Sequence, residues 1–285
     1  MKILITGFQP FGGDVVNPAW EAVKALPERL DDVKIIKAEI PVVFGEAFEA
    51  VRRAILMNTC PGQGGELPCD QQCEKLAAVI CVGQAGGRSG ITPEKIAINF
   101  NDAAIPDNAG NEPENELIRP DGPDGYFSTL PVTAMVDAMR KTGIPANLSL
   151  SAGAYVCNNV FYELMDYLAA GKLIGDDHIS AEGGSGSALG GFIHVPFSAE
   201  QLAGRERGDK ESGSQPGAGS KPAGSLSEDS RALPPSLSLA EITRGLEICI
   251  GEIIKVLRQQ AAPRSTIQTG LTASDESLTG QLYKY

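Results

Sequence analysis

Short apolar segments typical of β-strands alternate with amphipathic helical segments along most of the chain, and this alternation constrains the fold more than any other feature. The predicted strands are Lys2–Thr6, Val33–Ile40, Ala77–Val82, Lys95–Phe100, Asn147–Ser151 and Gly191–Val195. The predicted helices are Pro18–Leu26, Phe44–Ile55, Val132–Met139, Asn158–Ala169 and Leu239–Leu257. The pattern predicts an α/β fold, here a single-domain three-layer α/β/α sandwich around a mostly parallel, twisted sheet.

Two helix starts carry local signals. Asn17 can cap the first helix, with Pro18 in its first turn. Ser238 followed by Glu241 has the spacing of a capping box for the last helix.

Several stretches are rich in Gly, Ser and Pro and interrupt this pattern. We expect a domain over residues 1–262 with surface insertions near 60–75, 174–190 and 204–233. Residues 263–285 have little periodicity and are predicted to be a flexible C-terminal tail.

Charge and composition narrow the expected partners and location. The formal net charge of −12 at pH 7 repels phosphate backbones and anionic lipids, so neither nucleic acid nor a membrane is an expected partner. The first residues lack the pattern of a signal peptide, and the six cysteines are too sparse for a disulfide scaffold. We therefore expect a cytoplasmic protein with free thiols.

Neither a metal nor a cofactor is expected. Cys60, Cys69, Cys73 and Cys81 lack the paired short spacings of a zinc site, and the chain has only two histidines. The glycines between Gly83 and Gly90 follow a strand but do not spell a dinucleotide-binding fingerprint, so a tight active-site loop explains them better.

Cys157 is the candidate nucleophile. It follows a strand and an Ala-Gly-Ala loop at the start of a helix, where unpaired N–H groups favour a thiolate and can hold an oxyanion. The alternative is a small buried cysteine without chemistry.

Two further residues could complete a nucleophile–base–orienter set. His194 ends an apolar strand and can act as a base, or it can be a core histidine that donates to a backbone carbonyl. His178 lies in a polar stretch and is more simply a solvated loop residue. Glu94 could orient the imidazole, although an exposed charge at a strand start is the commoner case.

The loop after the first strand contains Phe8 and Phe11 in a Gly/Pro turn. Such rings either pack inward or line a pocket. Because loops at the carboxyl ends of parallel strands build sites in open α/β sheets, this loop, the Gly83–Gly90 loop and the start of the Cys157 helix are expected to meet.

Taken together, these segments resemble the pyroglutamyl peptidase I (pyrrolidone-carboxylate peptidase) family of cysteine peptidases. The matching stretches include Thr6–Gly13, Pro41–Gly45, Gly83–Ser89, Pro93–Asn99, Ile105–Asn108, Tyr126–Pro131, Ser151–Asn158 and Gly191–Pro196.

The resemblance implies removal of an N-terminal pyroglutamyl residue from peptides through a thioester, without cofactor or metal. It implies a catalytic set of Glu94, Cys157 and His194. It further implies that Phe8 and Phe11 flank the pyroglutamyl ring, that Asn17 and the backbone of Gln84 recognise its lactam, and that the chain forms a homo-oligomer, a tetramer.

One departure from the family pattern leaves an alternative open. Many bacterial relatives carry an arginine where this chain has Ala104. A catalytically silent relative that only binds pyroglutamyl or lactam ligands is therefore the second hypothesis, and a nucleotide-binding α/β protein, suggested only by the glycine loop, is the third.

Overall fold

The computed structural model describes residues 1–59, 76–171, 188–203 and 233–261. The predicted insertion at 60–75 and tail at 263–285 lie outside the described residues, as do His178 and most of the other two insertions.

A six-stranded, mostly parallel sheet forms the centre of the fold. Its strands are β1 (Lys2–Phe8), β2 (Arg29–Leu30), β3 (Val33–Ile40), β4 (Leu76–Gln84), β5 (Thr92–Pro93) and β8 (Leu189–Val195), in the order β2-β3-β1-β4-β8-β5. The four central strands are parallel, and the two short edge strands are antiparallel to their neighbours. Two small ribbons pair β6 (Ile96–Ile98) with β7 (Gly125–Phe127) and β9 (Phe197–Ser198) with β10 (Ser236–Leu237).

Helices cover both faces of the sheet, which confirms the predicted three-layer α/β/α arrangement. The helices are α1 (Pro18–Ala25), α2 (Glu46–Thr59), α3 (Val132–Lys141), α4 (Val156–Ala169) and α5 (Leu239–Ala261). The apolar residues of α1, α3 and α5 share one core cluster, and those of α2 and α4 share the other.

The continuous apolar runs in the sequence are explained by burial on both faces of the sheet. Ile3 and Ile5 pack under α1 and α5, whereas Leu4 between them joins the α2 and α4 side. A strand whose alternating side chains both enter a core reads as uniformly hydrophobic.

Both predicted helix caps are present. The Asn17 side chain accepts a hydrogen bond from the Ala19 N–H, with Pro18 in the first turn. Ser238 and Glu241 exchange the reciprocal bonds of a capping box at the start of α5.

The predicted strand Asn147–Ser151 is wrong in detail. This segment is extended beside Ile91–Lys95, but only isolated bridges form, Ile91 with Ala146 and Glu94 with Ser149. Pro93 supplies no N–H at the position where the parallel ladder needs a donor, so the pairing is interrupted there.

Two other boundaries differ from the prediction. The segment Lys95–Phe100 leaves the main sheet, because Ile96–Ile98 pairs with Gly125–Phe127 in a ribbon of its own. Leu189 and Gly190, which the prediction assigned to an insertion, are the first residues of β8 and lie in the central sheet.

Among the described residues, no helix combines the length and apolar composition needed to cross a lipid bilayer.

Candidate active site

The candidate site lies at the carboxyl ends of β1, β4 and β8. Gly7 of β1 is in register with Val82 of β4, and Gly83 of β4 is in register with His194 of β8. The loops that leave these strands therefore start at one edge of the sheet, as predicted for an open α/β fold.

Cys157 is the second residue of α4, whose N-cap is Tyr155. The first intrahelical bond runs from the Asn159 N–H to the Tyr155 carbonyl, so the N–H groups of the preceding turn have no partner within the helix. The sulfur therefore sits beside donors suited to a developing oxyanion.

Gly83 of β4 lies close to Cys157 and pairs with His194 of β8. A Cβ added at position 83 would lie 2.9 Å from Sγ of Cys157 and 2.8 Å from the Phe192 ring. The backbone of the same glycine pairs with His194, whose imidazole packs at 4.7 Å between centroids on that Phe192 ring. The sulfur thus packs against Gly83, whose partner in the neighbouring strand is His194, and a side chain at position 83 would collide with Sγ and the Phe192 ring.

Glu94 is fully buried, with 0 % of its surface exposed, and its Oε1 lies 2.7 Å from Nδ1 of His194. The short strand β5 creates this contact, because Thr92 pairs with His194 and Glu94 follows two residues later on the same face. The Glu94 N–H also donates to the Phe192 carbonyl. The alternatives of an exposed Glu94 and of a His194 bonded to a backbone carbonyl do not describe this arrangement.

Burial opposes charge on the imidazole and on the thiol. Burial lowers the pKa of His194, and the hydrogen bond with Glu94 opposes this effect only in part. Burial, and secondarily the Glu94 charge, raises the pKa of Cys157 to about 12. Desolvation therefore works against the thiolate that the helix start favours.

Glu94 itself stays ionised. Burial alone would raise the pKa of its carboxyl, but the hydrogen bond and charge of His194, the Ser149 hydroxyl and the Arg88 charge lower it below the ordinary glutamate value. A carboxylate is therefore the hydrogen-bond partner of the imidazole.

A small cavity of about 40 Å³ adjoins Cys157. Its walls are mostly apolar, and none of the lining side chains is an acid, a lysine or an arginine. The lining residues are Phe8, Phe11, Asn17, Val42, Gln84, Tyr155 and Cys157. All four residues predicted to contact the ligand therefore line one pocket beside the candidate nucleophile.

Asn17 is largely committed to the protein. Its Oδ1 accepts from the Ala19 N–H at 3.0 Å, and its Nδ2 donates to the Gln9 carbonyl at 2.9 Å. Asn17 thereby fixes the loop between Phe8 and Phe11 against α1, and one Nδ2 hydrogen remains for a ligand.

The Gln84 side chain is held by a residue that the sequence analysis did not identify. Gln201 Nε2 donates to Gln84 Oε1 at 3.1 Å and to Asp14 Oδ2 at 2.7 Å. No sequence signal pointed to Gln201, since it lies 117 residues from Gln84.

Three other residues of the site were also missed. Tyr155 and Val42 line the pocket, and Arg88 bonds to Glu94. Tyr155 could have been found from its place two residues before Cys157, and Arg88 as the one charged residue in the Gly83–Gly90 loop.

Within the described residues, no three His, Cys, Asp or Glu side chains form a group that could hold a metal ion.

Comparison with known proteins identifies proteins that are similar to this chain over most of its length. A sequence profile of the family described as "Pyroglutamyl peptidase" matches residues 1–63 and 68–215. A pyrrolidone-carboxylate peptidase of Brevibacillus brevis is 40% identical over 249 residues, which cover 87% of this chain and 90% of that protein. A pyrrolidone-carboxylate peptidase of Lactobacillus acidophilus is 46% identical over 204 residues, 71% of this chain and 86% of that protein.

Solved structures show the same similarity. Pyroglutamyl peptidase I from Bacillus amyloliquefaciens superposes with a TM-score of 0.64 at 37% identity and covers 88% of this chain and 94% of its own. The pyrrolidone carboxyl peptidase of the hyperthermophile Pyrococcus furiosus superposes with a TM-score of 0.67 at 31% identity, over 90% of this chain and 100% of that one.

Proposed function

The chain belongs to the pyroglutamyl peptidase family, and from this premise we propose how its residues carry out the family reaction. The protein is a cysteine peptidase, a hydrolase that removes an N-terminal pyroglutamyl residue from peptides. The observation that carries our assignment of the catalytic groups is the buried Glu94–His194 pair, set across Gly83 from Cys157.

Substrate selection rests on the neutral, apolar pocket. The five-membered lactam of a pyroglutamyl residue carries no charge, so its faces can contact Phe8 and Phe11 and its polar edge can meet Asn17 and Gln84. An ordinary N-terminal ammonium would lose its water shell there without a carboxylate among the lining side chains. The pocket therefore favours cyclised over free amino termini.

In the first half-reaction, Sγ of Cys157 attacks the carbonyl that joins pyroglutamate to the next residue. Because the resting thiol is neutral, its proton passes to Nε2 of His194 as the C–S bond forms, and then to the leaving amine as the C–N bond breaks. Glu94 holds Nδ1 and stabilises the transient imidazolium. The N–H groups at the start of α4 bind the oxyanion.

In the second half-reaction, water hydrolyses the thioester. His194 takes a proton from the water as its oxygen attacks the acyl carbon, and the proton returns to sulfur when the C–S bond breaks. Pyroglutamic acid leaves and the neutral thiol is restored, so the cycle needs no redox partner.

The test is release of arylamine from a pyroglutamyl-arylamide under reducing conditions. We expect turnover by the wild type and none by Cys157→Ala, whereas Cys249→Ala, which removes a buried thiol of α5, keeps turnover. Iodoacetamide should abolish turnover in step with alkylation of Cys157.

Other outcomes would contradict the proposal. Thermal stabilisation by a lactam without release would indicate a silent binding protein. Stabilisation by nucleotides and not by lactams would indicate a nucleotide-binding protein. Turnover that persists after complete alkylation of Cys157 would exclude this residue as the nucleophile.

We also propose a cytoplasmic homotetramer. Thiols stay reduced in the cytosol, and Cys81, Cys157 and Cys249 are all free. Exposed apolar side chains such as Val15, Leu117 and Phe127 are suited to subunit contacts. Light scattering on the purified protein and fractionation of cells test the two points, and a monomer or an exported protein would contradict them.

A further inference from the structure

Arg88 connects three parts of the active site. Its Nη1 lies 2.6 Å from Oε1 of Glu94 and also bonds to the Thr92 hydroxyl. Its Nη2 donates to the Ser151 carbonyl at 3.1 Å. The guanidinium thereby links β5 to the loop that leads into Cys157, while 27% of the side chain remains exposed.

Two donors share a single oxygen of Glu94. Oε1 accepts from Nη1 of Arg88 and from Nδ1 of His194, at 2.6 and 2.7 Å. Burial disfavours the charged form of this carboxylate, and its interaction with His194 is the largest effect that opposes burial. The adjacent guanidinium adds a permanent positive charge that acts in the same direction.

From this geometry we propose that Arg88 is a positioning residue for acyl transfer, which keeps Glu94 ionised with Oε1 directed at His194 and fixes the loop before Cys157. The inference rests on the proposed function. Arg88 is absent from the pocket lining, so its effect reaches the substrate through Glu94, His194 and the Ser151 loop.

The direction of the pH effect follows from the sign of the charge. The Arg88 charge lowers the pKa of Glu94, of His194 and of Cys157. The other titratable groups that face this set are Cys81 and Tyr155, both of which interact with Cys157. Removal of one positive charge strengthens proton binding at every group, so both limbs of a bell-shaped kcat/KM profile move to higher pH.

The experiment compares Arg88→Met, Arg88→Lys and the wild type, with Arg52→Met as a control that removes a surface guanidinium paired with Glu49 on α2. We expect Arg88→Met to lower kcat by about tenfold or more with KM changed much less, and to shift both limbs upward by about half a pH unit or more. Arg88→Lys should keep the limbs near their wild-type positions and recover part of kcat. Arg52→Met should match the wild type.

A second measurement does not depend on turnover. The rate of iodoacetamide alkylation at Cys157, followed on its own peptide by mass spectrometry, reports thiolate formation against pH. Its midpoint should rise in Arg88→Met and not in Arg52→Met. If the wild type releases no arylamine, the proposed function fails, and this midpoint still decides the role of Arg88.

Loss of kcat with unshifted limbs and an unshifted alkylation midpoint would overturn the inference, as would unchanged kcat. If Arg88→Met does not fold, Thr92→Val serves instead, since it removes only a hydroxyl that anchors the guanidinium. A smaller shift in the same direction is expected there, and its absence would also overturn the inference.

Discussion

At the scale of single residues, the site depends on the absence of a side chain at Gly83. Strand β4 brings Gly83 between the Cys157 sulfur and the strand of His194, and any side chain would occupy the space between them. This explains why a glycine interrupts an otherwise apolar strand, since close approach of other groups is a characteristic use of glycine in strands.

Gly83→Ala tests this reading. The added methyl would overlap Sγ and the Phe192 ring, so we expect kcat/KM to fall by about tenfold or more and the free energy of unfolding to fall by about 1–3 kcal/mol. Steady-state kinetics and denaturant unfolding measure the two effects. Gly251→Ala is the matched control, because a Cβ there meets nothing within 4 Å. Unchanged kinetics in Gly83→Ala would show that the close packing of Sγ against position 83 is not needed for turnover.

At the scale of elements, a strand of only two residues brings Glu94 to His194. The antiparallel pairing of β5 with β8 sets Thr92 beside His194 and brings Glu94 onto the same face. Pro93, which cannot donate a hydrogen bond, lies at the sheet edge, where its lack of an N–H is tolerated. The Glu94–His194 contact, across 100 positions in sequence, is therefore a consequence of strand pairing.

The carboxyl of Glu163 on α4 lies in an environment that disfavours its charged form. Burial, then the charges of Glu49 on α2 and Asp166 on α4, raises the pKa of Glu163 to about 7, with Arg119 acting against them. Its Oε2 has no hydrogen-bond partner among the described residues. A folded-state pKa above the unfolded value means that this carboxyl favours folding when protonated and that the benefit is lost as pH rises towards 7.

Glu163→Gln should therefore stabilise the protein at high pH. Above about pH 7 the variant avoids ionisation of a mostly buried group, and we expect a gain on the order of 1 kcal/mol in the free energy of unfolding. At pH 4 to 5, about the pKa of glutamate in the unfolded chain, the wild-type Glu163 carboxyl is protonated in the folded protein. The difference in the free energy of unfolding between the two proteins should therefore shrink towards zero. Urea unfolding of both proteins across this range measures it, and a gain independent of pH would contradict the assignment.

At the scale of the whole molecule, the site is built from segments between Phe8 and Gln201, and α5 packs on the opposite core cluster from α4. The last helix therefore supports the sheet without supplying a group to the pocket. The sequence predicts that residues 263–285 are a tail outside the domain, and this segment lies outside the described residues.

We accordingly expect a chain that ends at Ala261 to keep both activity and stability. The prediction follows from the low periodicity of the tail sequence. Wild-type kcat/KM and an unchanged unfolding midpoint would support it. A large loss of either would assign a structural or catalytic role to residues 262–285.

The sequence by itself determined the α/β class, the three layers and the identity of the candidate catalytic residues. Hydrophobic alternation and local signals, such as the Asn17 cap and the Ser238–Glu241 box, involve residues that are close together in the sequence. They can therefore be recognised without the folded structure. Resemblance to the family supplied the roles of Glu94, Cys157 and His194, which spacing alone left open.

Only the tertiary structure decided the surroundings of the reactive side chains and the partners of the polar groups in the site. The pKa of the Cys157 thiol is raised mainly because packing removes the thiol from water, and packing is a property of the folded molecule. Arg88 bonds to Glu94, and Gln201 to Gln84, because strand register and loop packing bring distant positions together. Such contacts leave no periodic trace in the chain, so they can be found only after it has folded.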